Sequence, residues 1–333
     1  MLIPHITRPF FKTSALVLSA VFLLCCAFTA CPQTEQKVTT ATPQDNITAP
    51  KENISPGTLD EIIPARSASL DTHLVSECSG FAASKKYPGI FWTLSDSGGK
   101  NTIVAIRADG SVVKPPGADA AYTGVKVSGA TNKDWECLTI DNLGRIIIGD
   151  IGNNKSDRRD LSLLVFPEPN PRKDTAVAPR KIPVRYADQT EFPDKKKRFD
   201  CEALFVWNGA VYVLTKRWSD TWTVLYRLQI QQDGSGLFTP VTAYNSLGLV
   251  TDAAISPNGR LLAVLTYHGL WVFVLPASGT NPLAGSVLFR PVQFPMTSWQ
   301  AEALAFTDND HVIIGTEQGD IYKIEISRLA KVR

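Results

Sequence analysis

Short apolar stretches separated by turn residues run from about residue 60 to the end of the chain. Five of them open near a carboxylate, in the segments SECSGF, DWECLTI, FDCEALFV, VTDAAIS and WQAEALAF. In each copy a second apolar stretch ends in a polar cluster 14 or 15 residues after the opening acid, or 19 residues after it in the first copy. Similarity that recurs at intervals of tens of residues predicts a repeat architecture.

Each copy contains several short strands. In the fourth copy, VTDAAIS is followed by the turn PNGR and then by LLAVLTY, LWVFVLP and SVLFRPVQF. Four strands in a unit of about 50 residues, rich in β-branched and aromatic side chains and separated by Gly-containing turns, are typical of a propeller blade. The sequence therefore predicts an all-β fold, a single β-propeller with five blades. A sixth, degenerate blade between residues 111 and 134 is the alternative.

The last copy contains only three strands before the chain ends. The segment EIIPARSAS, just before the first copy, supplies a further strand that could complete it. Pairing the two chain ends would close the ring and protect strand edges from other molecules. We therefore expect an N-terminal strand in the last blade.

Acidic residues recur at two positions of the repeat. One is the start of the first apolar stretch, and the other is the polar cluster that ends the second. The first strand of a propeller blade lines the channel and the second runs antiparallel beside it, so both positions are expected at one rim. The ten positions are Glu77 and Asp96, Glu136 and Asp150, Glu202 and Lys216, Asp252 and Thr266, and Glu302 and Glu317. Carboxylates held this close destabilise one another unless they are protonated or neutralised.

Two arrangements would accommodate these acids. Calcium takes six to eight oxygen ligands, so a ring of carboxylates could bind it. The candidate metal ligands are Glu136, Glu202, Glu302, Glu77, Asp252 and Asp150. Alternatively, each carboxylate accepts hydrogen bonds from backbone amides of the next blade and acts as a structural latch. The sequence leaves both readings open.

A predicted ligand rim surrounds these acids. It comprises Asp96, Asn153, Lys216, Arg217 and Glu317. A binding or scaffold module that takes a protein, phosphorylated or carbohydrate ligand is the favoured function. A metal-dependent phosphoester hydrolase would use the basic residues for phosphate, and a carbohydrate-active propeller would use two carboxylates. No catalytic residue is assigned, because nucleophile-elbow and phosphate-loop motifs are absent from the sequence.

The chain begins with a targeting segment. Arg8 and Lys12 precede the apolar run SALVLSAVFLLCCAF, and Phe28 to Cys31 read FTAC. This pattern predicts a lipoprotein signal over residues 1–30, with Cys31 carrying the lipid, palmitate included, and anchoring the protein stably. Ordinary signal cleavage and an uncleaved anchor are alternatives. Residues 31–59, rich in Thr, Pro, Gln and Asn, are expected to form a disordered tether, and residues 60–333 to form the propeller.

The net charge of the chain bears on which partners are expected. The sequence holds 34 basic and 32 acidic residues, and the signal removes two basic ones. A near-neutral mature chain gives no reason to expect a nucleic acid partner.

Cys78, Cys137 and Cys201 remain after processing. They are expected to pack as small apolar side chains, or Cys137 and Cys201 could form a disulfide.

The order of these motifs resembles a family. FWTLSDSGG, DWECLTI, IIIGDIGNN, RFDCEALFV and VYVLTKR are similar to motifs of a group of uncharacterised secreted bacterial β-propeller proteins. Looser similarity extends to SdiA-regulated and esterase-like phytase propellers and to calcium-activated nucleotidases, which have five blades and a central calcium. The resemblance covers residues 70 to 326 and implies a propeller that could hold calcium. It implies a cell-envelope location, with the outer membrane, facing the periplasm or the cell surface, favoured by Pro32 after Cys31.

Replacing the predicted lipid-bearing residue tests the anchor. Cys31→Ser should abolish incorporation of a labelled fatty acid and release or mislocalise the protein, because the thiol is the attachment point. Labelling and cell fractionation measure both effects. Labelling that persists in the variant would show that Cys31 is not the lipid site.

Overall fold

The computed structural model describes residues 59–96, 98, 100–173, 175–295 and 300–332. The predicted signal, Cys31 and nearly all of the predicted tether lie outside the described residues. Within these ranges no helix has the length and apolar character needed to cross a membrane. The domain boundaries at residues 30 and 59 stay predictions.

The regular structure of the described residues consists of strands and single-turn 3₁₀ helices such as Pro282–Ala284. The predicted all-β class is therefore confirmed. In chain order the strands are β1 (Arg66–Ser69), β2 (Cys78–Ala83), β3 (Phe91–Ser95), β4 (Thr102–Ile106), β5 (Val112–Val113), β6 (Val125–Lys126), β7 (Trp135–Ile140), β8 (Arg145–Asp150), β9 (Ser162–Pro167), β10 (Arg180–Tyr186), β11 (Asp200–Trp207), β12 (Ala210–Lys216), β13 (Trp222–Ile230), β14 (Gly236–Asn245), β15 (Val250–Ile255), β16 (Leu261–Thr266), β17 (Gly269–Val274), β18 (Val287–Pro291), β19 (Ala301–Phe306), β20 (His311–Thr316), β21 (Asp320–Glu325) and β22 (Ala330–Lys331).

Hydrogen bonds join the described strands into four sheets. One contains β2 to β6, one contains β15 to β18 with β22, and one contains β19 to β21 with β1. The fourth has eight strands in the order β11-β12-β13-β14-β10-β9-β8-β7, because β10 and β14 pair in parallel at its centre. Four sheets do not confirm five blades, so the blade number stays a prediction.

The opening strands β2, β7, β11, β15 and β19 surround a common channel. They contact one another in cyclic order, from β2 through β7, β11, β15 and β19 back to β2. Sheets of antiparallel meanders that place their first strands around one axis form a β-propeller. The propeller predicted from the repeat is therefore the observed architecture.

Burial explains why inner and outer strands differ in sequence. β19 is buried along its whole length and reads AEALAF, since neighbours pack on both of its faces. The outer strand β10 alternates exposed and buried positions over RKIPVRY, because only one of its faces packs on the core. Apolar runs with one acid therefore became channel strands, while alternating segments became outer strands.

The two ends of the chain meet. β1 pairs antiparallel with β21, which is the partner that the sequence analysis expected for an N-terminal strand. Ile62 forms a bridge with Val292, and β22 pairs with the outer strand β18. These contacts cover strand edges that would otherwise be exposed.

The three predicted core cysteines are buried and free. Cys78, Cys137 and Cys201 each have a fully buried side chain, and no disulfide joins them. Burial in apolar surroundings raises the pKa of the Cys78 thiol to about 12. The thiols therefore act as small apolar packing groups.

Removing the N-terminal strand should destabilise the fold. Ile62 and Leu70 are only 3% and 7% exposed, and each buried aliphatic side chain contributes about 1.5–3 kcal/mol. Deleting residues 60–70 should therefore lower the free energy of unfolding by about 3–6 kcal/mol. Deleting residues 32–55 should leave it unchanged. Denaturant unfolding measures both, and equal effects of the two deletions would contradict the closure.

Candidate functional site

Three glutamates reach the channel mouth because each is the extra residue of a β-bulge. In β7, Trp135 pairs with Asp150 and Cys137 with Gly149, which leaves Glu136 without a partner position. Glu202 in β11 and Glu302 in β19 have the same relation to their second strands. A bulge places two residues opposite one and redirects the extra side chain. All three glutamates are about 3% exposed.

The first and fourth copies carry a hydroxyl at this position instead of an acid. The register shifts between Cys78 and Phe81, where Ser79 follows the paired residue, and between Val250 and Asp252, where Thr251 does. Strand pairing thus aligns Ser79 and Thr251 with the glutamates. Sequence spacing aligned Glu77 and Asp252 instead, because a bulge adds a residue that a simple count does not reveal.

The same register defines the matching positions where the second strands end. Ser95, Asp150, Thr215, Thr266 and Thr316 pair with the residue just before each bulge. The next residues are Asp96, Ile151, Lys216, Tyr267 and Glu317. Ile151 packs in the apolar core, and the other four are polar. The predicted rim residues Asp96, Lys216 and Glu317 therefore occupy equivalent places, whereas Asp150 and Thr266 lie one residue earlier.

A buried lysine neutralises one half of the mouth. Lys216 Nζ donates to Glu202 Oε1, to Glu302 Oε1 at 3.3 Å and to the Tyr267 hydroxyl at 2.9 Å. Tyr267 in turn donates to Glu302 Oε1 at 2.6 Å. Burial alone would lower the pKa of Lys216, but Glu202 and Glu302 raise it above its usual value. This ammonium therefore stays charged and holds two of the predicted metal ligands.

The opposite half contains three carboxylates in a compact group. Asp96, Asp134 and Glu136 each place an oxygen within 4.8 Å of the others. Ser79 Oγ donates to Glu136 Oε2 at 2.9 Å and to the Glu136 carbonyl at 3.1 Å. Two oxygens that bind one calcium ion, each about 2.4 Å from it, can be at most about 4.8 Å apart. The spacing suits a shared divalent cation.

Gly152 leaves the room that this group occupies. A Cβ atom at Gly152 would lie 2.5 Å from Asp134 Cγ and 2.7 Å from Glu136 Cγ. Any other residue would push the two carboxylates away. The glycine of the GDIGNN loop therefore allows the loop backbone to close directly onto the acidic group.

Burial and mutual repulsion make the ionised forms of these acids costly. Burial first, and then the charges of Glu202 and Asp96, raise the pKa of Glu136 well above its usual value. Burial and Asp96 raise the pKa of Asp134 to about 6. Burial and Glu302 raise the pKa of Glu317 to about 8. A neutralising partner on this side would therefore be favourable.

One buried carboxylate oxygen without a hydrogen-bond partner adds to the uncompensated negative charge at the mouth. Glu202 Oε1 bonds Lys216, but Glu202 Oε2 is buried and has no hydrogen-bond partner among the described residues. Of all neighbouring charges, that of Glu202 acts most strongly on Glu136. An unpartnered buried carboxylate oxygen is costly, and a cation would satisfy it.

Asp252 has the contacts of a structural latch. Its Oδ1 accepts the Ala253 amide at 2.7 Å, and its Oδ2 accepts the Leu304 amide of β19 at 2.6 Å. The Oδ2 contact therefore joins β15 to the neighbouring channel strand β19. Glu77, another of the candidate ligands, has an exposed side chain, and its carbonyl accepts the Asp96 amide at 2.9 Å. The structure thus separates both residues from the three bulge glutamates.

Asp150 and Asn153 organise the loop after β8. Arg158 donates to Asp150 Oδ1 at 2.9 Å. The Asn153 backbone amide donates to Asp200 Oδ1 at 2.7 Å, and the side-chain Oδ1 of Asn153 accepts the Arg158 backbone amide at 2.9 Å. These hydrogen bonds within the protein shape the loop that carries Gly152.

Sequence reasoning missed Asp134, Ser79 and Tyr267. Asp134 and Asp200 each stand two residues before a bulge glutamate, in the repeated patterns DWE and DCE. That repetition is a signal that could have identified Asp134. The bulge that brings in Ser79 left no comparable mark in the sequence.

The chain was compared with known proteins. No protein-family model and no curated protein matches it. Among solved structures, a proposed gluconolactonase is similar, with 14% identity, a TM-score of 0.42, and 76% of this chain and 74% of that one covered. The β-propeller domain of Cps50 (Swd1) from Myceliophteria thermophila has 11% identity, a TM-score of 0.39, and coverage of 77% and 72%. At these scores the fold rests on the strand topology described above.

Replacing the buried lysine should reveal the repulsion that it offsets. Lys216→Met leaves Glu202 and Glu302 buried without their cation, and breaking a buried ion pair in this way costs about 3–5 kcal/mol. Urea unfolding in the presence of a chelator measures the loss. The neighbouring Arg217→Met is the matched control, because the pair of Arg217 with the more exposed Asp220 should contribute about 1 kcal/mol or less. Equal losses in the two variants would contradict the role of Lys216.

Proposed function

We propose that this protein is a lipid-anchored, extracytoplasmic β-propeller of five blades that binds a calcium ion at its channel mouth and presents that face to a ligand. The observation that carries the proposal is the group of Asp96, Asp134 and Glu136, whose oxygens lie within 4.8 Å of one another. The unpartnered Glu202 Oε2 and the space left by Gly152 support it. The anchor rests on the sequence around Cys31.

The connectivity of the eight-stranded sheet supports the proposal of five blades. The segments β7–β10 and β11–β14 are each antiparallel four-stranded meanders, and only the parallel pair β10–β14 joins them. The cyclic contacts among five opening strands agree with this division. In this reading β1 is the outer strand of the last blade.

Calcium suits the acidic half better than the complete ring. Lys216 already pairs with Glu202 and Glu302, so the cation would bind Asp96, Asp134 and Glu136. Calcium also accepts further oxygens, from water or from an incoming carboxylate, phosphate or sugar hydroxyl. A bound ion would both stabilise the mouth and offer a contact for an extracellular ligand.

A binding role fits the basic residues better than phosphoester hydrolysis does. Arg158 pairs with Asp150, Arg198 with Asp194, and Arg217 with Asp220. These three arginines near the mouth are thus held in ion pairs within the protein. We therefore propose a binding module as the principal function.

Calcium should stabilise the protein through the acidic half. Because a ligand that binds only the native state stabilises it by mass action, calcium at about 100 times its Kd should add about 2.7 kcal/mol. Thermal unfolding in calcium and in chelator measures the increment. Asp134→Asn should abolish most of it, whereas Asp233→Asn, in the exposed turn after β13, should retain it.

The same measurement can overturn the proposal. Unfolding that is identical in calcium and chelator would reject the calcium site. A larger loss of the increment in Glu302→Gln than in Asp134→Asn would place the ion on the half that Lys216 occupies, contrary to the proposed division.

A further inference from the structure

The opposite end of the channel contains a cavity. Its volume is 370 Å³, near the lower end of the range of about 300–1,000 Å³ that is usual for small-molecule sites. All five opening strands line it near their C-terminal ends, through residues such as Phe81, Leu138, Val206, Ala254 and Phe306. The bulge glutamates lie at the other ends of these strands. The cavity is thus separate from the acidic mouth.

Small side chains create this space. Ala82 and Ala83 end β2, Ala253 and Ala254 lie in β15, and Ala305 lies in β19. Larger aliphatic side chains at these positions would fill the axis. The wall between them is apolar and aromatic, formed by side chains such as Phe81, Ile140 and Phe306. An interior lined mainly by apolar side chains favours a hydrocarbon ligand over a sugar.

The entrance of the cavity carries a positive charge. Among the described residues, Lys85 is the one charged residue that lines the cavity. It is exposed, and its Nζ donates to Asn142 Oδ1 at 2.9 Å across the entrance. The nearby Asp141 is occupied by Arg145, at 2.6 Å. Leu143, which follows Asn142, is 77% exposed. An apolar interior thus lies behind a positively charged, partly apolar entrance.

We propose that this cavity binds a small amphipathic carboxylate, with its hydrocarbon body inside the channel and its carboxylate at Lys85. Burial of the apolar body would supply most of the affinity, because it removes hydrocarbon from water. Lys85 would select the charge, since it attracts an anion and repels a cation. The proposal is independent of calcium, because the two sites lie at opposite ends of the channel.

Ligands with the same ten-carbon chain but different head groups separate the contribution of the apolar body from that of the charge at Lys85. The full chain carrying Cys31→Ser, whose own lipid cannot compete, is titrated with decanoate, 1-decanol and decylamine by calorimetry below their aggregation concentrations. Decanoate should bind more tightly than decanol by about threefold or more, the size expected for an exposed ion pair. Decylamine should bind most weakly. Equal binding of decanoate and decylamine, or no decanoate binding, would overturn the proposal.

Variants locate the ligand. Ala254→Leu should weaken decanoate and decanol together, because it fills the cavity. Lys85→Met should remove the preference for decanoate and leave decanol binding unchanged, while Lys85→Arg retains the preference. Lys126→Met, an exposed lysine on β6, is the control and should change nothing. Decanoate binding that survives Ala254→Leu undiminished, in protein whose thermal unfolding is normal, would place the ligand elsewhere and contradict the proposal.

Adding calcium or chelator distinguishes a failure of the cavity proposal from a failure of the calcium site. Decanoate affinity should be the same in both, since no acidic-mouth residue lines the cavity. A change of tenfold or more on chelation would contradict the independence of the two sites.

Discussion

A one-residue bulge near the start of each channel strand determines what lies at the acidic mouth. In three strands the extra residue is a glutamate, and the bulge redirects its side chain away from regular pairing. Three carboxylates thereby share a small, buried region, where burial and the neighbouring carboxylates raise the pKa of Glu136 and Glu202 above their usual values. The remaining features of the mouth, a buried lysine, a glycine loop and a bonded tyrosine, accommodate that concentration of charge.

The protein accommodates the charge differently on the two sides. Around Glu202 and Glu302 it supplies its own cation, Lys216, whose ammonium also bonds the Tyr267 hydroxyl. Around Glu136 no such lysine is present among the described residues, and Arg158 reaches Asp134 only at 3.9 Å while bonding Asp150 closely. An internal cation on one side and an external one on the other would each offset part of the negative charge of its own half. This asymmetry underlies the proposed binding face.

Much of the fold could be predicted from the sequence, because burial leaves a direct mark on the residues. The apolar run AEALAF and the alternating run RKIPVRY indicate a channel strand and an outer strand, and the expected pairing of the N-terminal segment is observed as β1 with β21. The register of the mouth could not be read in the same way. Matching acid to acid along the sequence selected Glu77, two residues before Ser79, and Asp252, one residue after Thr251. Both hydroxyl residues were therefore overlooked, and Asp252, a latch to Leu304, was grouped with the glutamates.

Diffraction from crystals grown with manganese in place of calcium tests the central claim most directly, because manganese takes the same oxygen ligands and scatters anomalously. The division of the mouth predicts an anomalous peak among Asp96, Asp134 and Glu136, with Lys216 still bonded to Glu202 and Glu302. Absence of a peak at the mouth, or a peak between Glu202 and Glu302 with Lys216 displaced, would contradict it.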